Sequence, residues 1–226
     1  GIDTNVVAGV AATPAGGSLA GLHETAARGG NDNTFSEVVD FVLRHKKGPI
    51  TANVSTTRTL DDLARKYEVE LHRSKVGEVH VAKKMAAVGA VIGGEGNGGV
   101  ILPEVHLGRD APVGAALILQ YMTEMEKPLS EIVADLPHYQ IVKDKISIEG
   151  LDKDEIFARI EANAREAQID KTDGIKLIHP RSWVQVRASN TEPILRIFAE
   201  ASNSVDAQRM VDDIRKIVTG NDSGEE

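Results

Sequence analysis

The sequence predicts an α/β protein in which an α/β domain is followed by a small α+β domain. Between residues 34 and 127, helix-like and strand-like segments alternate, which is typical of a sheet covered by helices. From residue 138 onward, strand-like segments follow one another more directly and two helices accompany them, which indicates an α+β arrangement. A length of 226 residues is sufficient for both, since about one to two domains are expected at this size.

Residues 1–33 are rich in glycine and alanine and contain few large apolar side chains. Such a segment buries little surface to offset the entropy lost on ordering, so we interpret it as a connector or an atypical lead-in. Apolar spacing then predicts the first domain, residues 34–127, with helices over 34–46, 57–67, 77–88 and 110–126 and strands over 48–54, 69–73 and 89–94. Asp110 is the expected N-cap of the last of these helices, with Pro112 in its first turn.

A junction is expected over residues 128–137, and the second domain over residues 138–226. Its predicted strands cover 140–148, 173–179, 182–187 and 193–201, and its predicted helices cover 152–167 and 204–218. Ser204 is the expected cap of the closing helix.

Composition excludes several classes of function. The net charge is −8 and the longest basic run is the short "RHKKG", whereas nucleic-acid backbones require clustered Lys and Arg. The chain contains no cysteine, which excludes disulfides and thiolate chemistry and fits a reducing compartment. No apolar run approaches the roughly 18 residues of a membrane span, and no signal sequence opens the chain. We therefore expect a cytoplasmic protein without nucleic-acid or membrane partners.

The glycine cluster "GGEGNGG" contains a G-x-G-x-x-G pattern directly after a predicted strand. A dinucleotide site would also require a helix N-terminus next, but the following residues are β-like and Pro103 opposes a helix, so we interpret the match as accidental. Glycines instead allow close backbone approach, so that Glu95 and Asn97 can project toward the hydroxyls of a sugar. The loop carries no basic residue, which favours sugar over phosphate. A Gly-rich turn with a solvated glutamate remains the alternative.

The stretch "RASNTEPILR" joins two predicted strands and is suited to binding a small anion. Arg187 offers a forked donor, Ser189 and Thr191 offer hydroxyls, and Asn190 and the backbone N–H groups complete a phosphate-binding loop. Ser189 has no nucleophile motif around it. The alternative is a polar hairpin loop with solvated arginines.

Two further basic residues are candidates for a ligand-binding cleft. Arg58 follows the hydroxyl-rich "STT" at a strand end, and Lys75 precedes a helix, where it could reach a phosphate. Simpler roles are capping for the hydroxyls and solvation for the lysine. The seven histidines show no metal-ligand spacing.

Five motifs in the same order carry a family resemblance: "NVSTTRTL", "KVGEVHVAKKM", "GGEGNGGVI", "HLGRDAPVG" and "RASNTEPILR". Together they resemble the C-terminal half of the α-D-phosphohexomutases, the superfamily of phosphoglucomutase, phosphomannomutase and phosphoglucosamine mutase. The resemblance implies that residues 34–127 form the α/β/α-layered third domain, with Glu95 and Asn97 binding the sugar. It implies that residues 138–226 form the fourth domain, whose loop, Arg187 with Ser189, Asn190 and Thr191, binds the substrate phosphate.

Two family features are missing from the sequence. Members of the family carry a phosphorylatable serine in a T-x-S-H-N-P type loop and a D-x-D-x-D-R type loop for Mg²⁺, and here "DTNVVA" near the start offers one aspartate of three. We therefore assign no catalytic residue and no metal ligand in this chain, and expect both loops in N-terminal domains of a longer enzyme. Two functions stay open: the substrate-recognition half of a hexose phosphate mutase, and a stand-alone phosphosugar-binding or regulatory module.

Overall fold

The computed structural model describes residues 32–189 and 191–220. The described residues divide into two compact units, one ending at residue 138 and one beginning at residue 139, and each has a buried apolar core of its own. The predicted connector lies outside the described residues except for residues 32 and 33, which belong to the first helix. An α/β unit followed by a smaller α+β unit confirms the predicted fold class.

The first unit contains five helices and four strands in the part that is described. In chain order these are α1 (Asp32–His45), β1 (Ile50–Asn53), α2 (Thr59–Tyr67), β2 (Leu71–Ser74), α3 (Glu78–Val88), β3 (Ile92–Glu95), β4 (Gly99–Ile101), α4 (Ala111–Met125) and α5 (Leu129–Ala134). All predicted helices and strands of this unit are present, with ends shifted by a few residues.

The sheet of the first unit has the strand order β2-β1-β3-β4. β1 pairs in parallel with β2 and with β3, while β4 returns antiparallel to β3. Apolar side chains of α1, α2, α4 and α5 form the larger core, and α3 contributes Val81 and Met85 to a smaller one with Ile101. Because β1, β2 and β3 run in the same direction, their carboxyl ends share one edge of the sheet.

Helix α1 carries two buried acidic side chains, Glu37 and Asp40. Asp40 accepts hydrogen bonds from Arg44 Nε at 3.0 Å, Lys66 Nζ at 2.7 Å and Tyr67 Oη at 2.8 Å, and also from the hydroxyl of Tyr121. A charge in such a position is tolerated only when it is paired in this way. The Asp40 cluster therefore ties α1 to α2 and α4.

The expected junction over residues 128–137 is wrong in one respect. Residues 129–134 form helix α5, and Leu129, Ile132 and Leu136 pack into the core of the first unit. The first unit therefore continues to residue 138 instead of ending at residue 127. Pro128 marks the start of α5, and its fixed φ suits this position.

The second unit is an antiparallel sheet with two helices. Its elements are β5 (Gln140–Ser147), α6 (Lys153–Ala162), β6 (Gln168–Asp170), β7 (Ile175–His179), β8 (Ser182–Ala188), β9 (Ile194–Ala201) and α7 (Ser204–Thr219). The strand order is β5-β9-β8-β7-β6, with every neighbouring pair antiparallel. Ile156 and Ile160 of α6 and Val211 and Ile214 of α7 cover a single apolar core.

Two details of the second unit differ from the sequence prediction. The helix expected to reach residue 167 ends at Ala162, and the chain passes through Glu166 at φ +59° into the unpredicted strand β6. The cap of α7 is Asn203 instead of Ser204, since Asn203 Oδ1 accepts from the Asp206 backbone N–H at 2.8 Å. The predicted cap at Asp110 is confirmed, with Oδ1 accepting from the Val113 N–H at 2.9 Å.

Candidate functional site

The carboxyl edge of the parallel strands gathers the candidate residues of the first unit. Arg58 follows the end of β1, Lys75 follows the end of β2, and Glu95 ends β3, with Asn97 two residues beyond it. In open α/β sheets, this edge is where ligands bind. Four residues chosen from three separate motifs thus lie along the same edge.

Glu95 is held by three neighbouring segments. Its Oε1 accepts from Asn53 Nδ2 at 2.9 Å and from the Gly77 backbone N–H at 2.8 Å, and its Oε2 lies 3.5 Å from Arg109 Nη1. The residue is only 5 % exposed. The carboxylate therefore does not project from a thin loop as expected but is buried and fixed in orientation by its partners.

Asn97 differs from Glu95 because it lies exposed at the tip of the β3–β4 hairpin. Its Oδ1 accepts from the Gly99 backbone N–H at 3.2 Å, and Gly98 takes the left-handed φ of +84° that the tight turn requires. Glu95 and Gly99 are register partners across this hairpin. The two residues that are candidates for binding a sugar thus differ: one is a fixed carboxylate and the other is an exposed amide.

The glycine cluster serves packing in the hairpin. A Cβ at Gly94 would lie 2.3 Å from the Gly99 carbonyl oxygen and 2.5 Å from Phe35 Cε2, and a Cβ at Gly93 would lie 2.2 Å from Met85 Sδ. The chain continues from the cluster into strand β4 and not into a helix. The G-x-G-x-x-G match is therefore not a dinucleotide motif, as the sequence prediction held.

Arg109, which the sequence prediction did not assign to the site, bridges two acidic residues. Its Nε donates to Glu78 Oε2 at 2.9 Å and its backbone N–H donates to Glu78 Oε1 at 3.0 Å, while Nη1 faces Glu95. The Arg109 backbone N–H and its guanidinium lower the pKa of Glu78 from its ordinary value. The glycine loop itself carries no basic residue, and the cation beside Glu95 comes from the separate "HLGRD" segment.

Arg73 organises the loop that follows β1. Its Nη1 donates to the carbonyls of Asn53 at 3.1 Å and Thr56 at 2.9 Å, and its Nη2 donates to the Thr57 carbonyl at 3.1 Å and to Asp61 at 2.7 Å. Satisfying three carbonyls from one guanidinium holds this loop in a defined shape.

The two basic cleft candidates occupy different environments. Arg58 is partly buried and is the N-cap residue directly before α2, although its side chain makes no capping hydrogen bond. Lys75 is exposed and lies two residues before Gly77, which donates to Glu95.

Arg187 lies within β8 and makes an ion pair in the second unit. Its Nη1 is 3.3 Å from Asp173 Oδ2, and its side chain is 19 % exposed. Among the described residues, no acceptor contacts its buried Nε. The close approach requires Gly174 at φ +74°, where a Cβ would lie 2.2 Å from the Val186 carbonyl oxygen. Arg187 therefore has an acidic partner that the sequence prediction missed.

Arg187 and Arg196 are direct register partners on β8 and β9. Side chains at opposed positions of antiparallel strands emerge on the same face, so both arginine side chains leave the same face of the sheet. Arg196 also has an acidic neighbour, Glu192, at 3.8 Å. Each of the two arginines beside the "SNTEP" loop therefore has an acidic neighbour.

The loop between β8 and β9 is closed by backbone hydrogen bonds. The Ser189 N–H donates to the Ile194 carbonyl at 2.9 Å, and the hydroxyl oxygens of Ser189 and Thr191 lie 3.4 Å apart. Asn190, the third residue predicted to hold phosphate, lies outside the described residues. The two hydroxyls are thus adjacent to each other and close in sequence to Arg187.

The described residues contain no cluster of three or more His, Asp or Glu side chains that could hold a metal ion. Within the same residues, no helix has both the length and the apolar character needed to cross a membrane. The described residues therefore offer no set of ligands for a magnesium ion.

Family models match both units. The model described as phosphoglucomutase/phosphomannomutase, alpha/beta/alpha domain III, matches residues 32–139, and the model of the C-terminal domain of the same family matches residues 141–217. The chain belongs to the phosphoglucomutase/phosphomannomutase family. Together the two matches cover both described units, which are therefore domains III and IV of this family.

Similar curated proteins include a phosphoglucomutase/phosphomannomutase of Thermococcus kodakarensis, 40 % identical over 184 residues, which are 80 % of this chain and 40 % of that protein. A probable phosphoglucosamine mutase of Methanopyrus kandleri is 37 % identical over 81 % of this chain and 42 % of its own length. The chain thus spans about two fifths of the length of the relatives it matches.

Two solved structures share the fold. A phosphoglucomutase/phosphomannomutase family protein from Burkholderia thailandensis has a TM-score of 0.70 at 23 % identity, with 86 % of this chain and 42 % of that chain covered. N-acetylphosphoglucosamine mutase of Aspergillus fumigatus, in complex with GlcNAc-6P and magnesium, has a TM-score of 0.61 at 12 % identity, with 83 % and 46 % covered.

Proposed function

We propose that this chain is the substrate-recognition half of a phosphohexomutase that interconverts hexose 6-phosphates and hexose 1-phosphates. The observation that carries the proposal is the fixed position of Glu95, whose carboxylate is oriented by Asn53, Gly77 and Arg109 at the ligand-binding edge of the sheet. A buried, oriented carboxylate accepts hydrogen bonds from sugar hydroxyls at a small entropic cost.

The names of the relatives support this choice of substrate class. Phosphoglucosamine mutases and a phosphoglucomutase/phosphomannomutase are among the similar proteins, and the fungal structure holds GlcNAc-6P. A 2-amino or 2-hydroxy hexose phosphate is therefore the substrate class that we propose.

In this proposal each unit supplies its own set of substrate contacts. Glu95 and Asn97 bind the sugar, and Arg187, Ser189, Asn190 and Thr191 bind the phosphate, with Arg58 and Lys75 as further contacts at the sheet edge. Arginine suits the phosphate because its planar fork can engage two oxygens. Orientation and electrostatic stabilisation are then the contribution of this half to catalysis.

The phosphoryl carrier and the magnesium site would lie in the remaining three fifths of a full-length relative. The printed sequence contains neither the serine loop nor the three-aspartate loop of the family. We therefore propose that the longer enzyme is the isomerase and that the 226-residue chain alone binds substrate without turning it over.

Calorimetric titration of the chain tests the proposal. Glucose 6-phosphate, glucosamine 6-phosphate and mannose 6-phosphate are compared with inorganic phosphate and with the unphosphorylated sugars. We expect at least one hexose phosphate to bind more tightly than either inorganic phosphate or its parent sugar, because both halves of the ligand are then engaged. Equal affinities for hexose phosphate and inorganic phosphate would contradict the proposal.

A further inference from the structure

Three segments of the first unit meet at the side chain of Arg109. The residue lies between β4 and α4, its Nε and backbone N–H bind both carboxylate oxygens of Glu78 in the first turn of α3, and its Nη1 lies 3.5 Å from Glu95 at the end of β3. One guanidinium therefore connects the β4–α4 loop, the start of α3 and the β3–β4 hairpin.

The two oxygens of Glu95 are not equivalent. Oε1 is occupied by two good hydrogen bonds, from Asn53 Nδ2 at 2.9 Å and from the Gly77 N–H at 2.8 Å. Among the described residues, the one donor beside Oε2 is Arg109 Nη1 at 3.5 Å, which is longer than an ordinary hydrogen bond. Oε2 is therefore the oxygen that can accept a further hydrogen bond, and Arg109 is the group beside it.

The hairpin is shaped to let Arg109 reach this position. A Cβ at Gly99 would lie 2.4 Å from Arg109 Cδ and 3.1 Å from its Cγ. Since Gly99 is also the register partner of Glu95, the aliphatic part of the Arg109 side chain passes across the base of the β3–β4 hairpin. Any larger residue at position 99 would push the guanidinium away from Glu95.

We propose that Arg109 is a positioning residue for sugar recognition. Its guanidinium, anchored by Glu78, holds Glu95 so that Oε2 accepts a hydrogen bond from a sugar hydroxyl. It acts through Glu95 and not on the phosphate group. The inference rests on the proposed function, because that function makes a sugar hydroxyl the group that Glu95 binds.

A double-mutant cycle with Arg109→Gln and Glu95→Gln tests this role. We expect Arg109→Gln to weaken glucose 6-phosphate binding about twofold to fivefold, the size of a partly exposed ion pair, and to leave inorganic phosphate binding unchanged. In a Glu95→Gln background, Arg109→Gln should have no further effect. Arg109→Lys should restore part of the affinity, because one ammonium cannot contact Glu78 and Glu95 together.

Arg65→Gln is the matched control. Arg65 is 70 % exposed in the same unit and forms a pair with Asp62 on the surface of α2, so its loss removes one charge without touching the sheet edge. Melting curves of all variants show whether a change in affinity is a change in folding. The proposal would be overturned if Arg109→Gln weakened glucose 6-phosphate binding as much in the Glu95→Gln background as in the parent. It would also be overturned if Arg109→Gln weakened binding of inorganic phosphate equally.

A second measurement does not depend on hexose phosphate binding. The Gly77 amide donates to Glu95 Oε1, so its hydrogen exchange reports how firmly that carboxylate is held. We expect faster exchange at Gly77 in Arg109→Gln and unchanged exchange in Arg65→Gln. If the parent chain binds no hexose phosphate, the proposed function fails, and unchanged Gly77 exchange in Arg109→Gln would separately refute the positioning role.

Discussion

Asp173 Oδ2 lies 3.3 Å from Arg187 Nη1, so the arginine that we assign to the substrate phosphate already faces a carboxylate. Asp173 is also held through its backbone, because Gln185 Nε2 donates to its carbonyl at 2.8 Å. A phosphate that binds Arg187 must therefore share the guanidinium with Asp173 or displace its carboxylate. If the loop binds phosphate as we propose, the residue at position 173 should therefore change its affinity for anions.

Asp173→Asn is expected to strengthen binding of inorganic phosphate to the chain about threefold to tenfold. The substitution removes the negative charge that competes for Arg187 and keeps the shape of the side chain and its backbone contact with Gln185. Calorimetry measures the affinity, and Asp213→Asn on the exposed surface of α7 controls for the loss of one charge. Weaker phosphate binding in Asp173→Asn would mean that the carboxylate positions Arg187 instead.

Arg187→Ala is expected to weaken hexose phosphate binding roughly ten- to a hundredfold, because each charge-assisted hydrogen bond contributes about 1.5 to 3 kcal/mol. Arg187→Lys should restore only part of the affinity, since an ammonium retains the charge but loses the planar fork. Both variants are compared with Arg209→Ala, whose side chain is 70 % exposed on α7.

Melting curves measure how much the ion pair of Arg187 with Asp173 contributes to stability. Because its partner Asp173 remains behind, we expect a loss of stability of about 1 kcal/mol in Arg187→Ala. A variant that melts and binds as the parent does would end the assignment of Arg187 to phosphate.

Glu37 makes the stability of the first unit depend on pH. The side chain is fully buried, no described group hydrogen-bonds its carboxylate oxygens, and burial raises its pKa to about 7. The unfolded chain releases this proton near pH 4.5, so the folded state binds more protons between pH 4.5 and 7 and loses stability as the pH rises through this range.

Glu37→Gln should remove that dependence. We expect a gain in the free energy of unfolding of about 3 kcal/mol at pH 8 relative to the parent, and little difference at pH 4. Denaturant unfolding at the two pH values measures the change, with Glu104→Gln as an exposed control. An equal effect of Glu37→Gln at both pH values would show that the carboxyl does not titrate on folding.

Sequence patterns predicted most elements because helix and strand periodicity is local. The helix α5 and strand β6 were missed because each is short, with six and three residues, and depends on packing against its unit. The sequence analysis placed Lys75 before a helix and the loop of Glu95 directly after a strand. The structure adds that both residues lie at the shared carboxyl edge of the parallel strands.

The partners of the candidate residues could not be predicted from the sequence. Arg109 lies 31 residues from Glu78, and Arg187 lies 14 residues from Asp173, and no periodic pattern links such positions. The burial of Glu95 could not be predicted from the sequence either, because its hydrogen-bond donors Asn53 and Gly77 lie beside the ends of two different strands. These contacts form between residues that are distant in sequence and close only in the folded chain. The one sign of them in the sequence is that "HLGRD", which contains Arg109, belongs to the set of family motifs.

The 226-residue chain alone is expected to show no mutase turnover. A phosphoryl carrier is required to pass the group between the two positions of the hexose, and the printed sequence contains no serine loop of the family type. Conversion of glucose 1-phosphate is followed with purified chain over a range of concentrations. Turnover that rises in proportion to the chain, above the background of any contaminating mutase, would refute this expectation.

The most direct test of the account is the response of Glu95→Gln to two ligands. If Glu95 binds the sugar, the variant should bind glucose 6-phosphate at least about tenfold more weakly, since a charge-assisted hydrogen bond is lost, while its affinity for inorganic phosphate stays within about twofold. Glu104→Gln, which removes an exposed carboxylate paired with Lys46, should change neither affinity. Equal weakening for both ligands, or no weakening for glucose 6-phosphate, would contradict the assignment of Glu95 to the sugar.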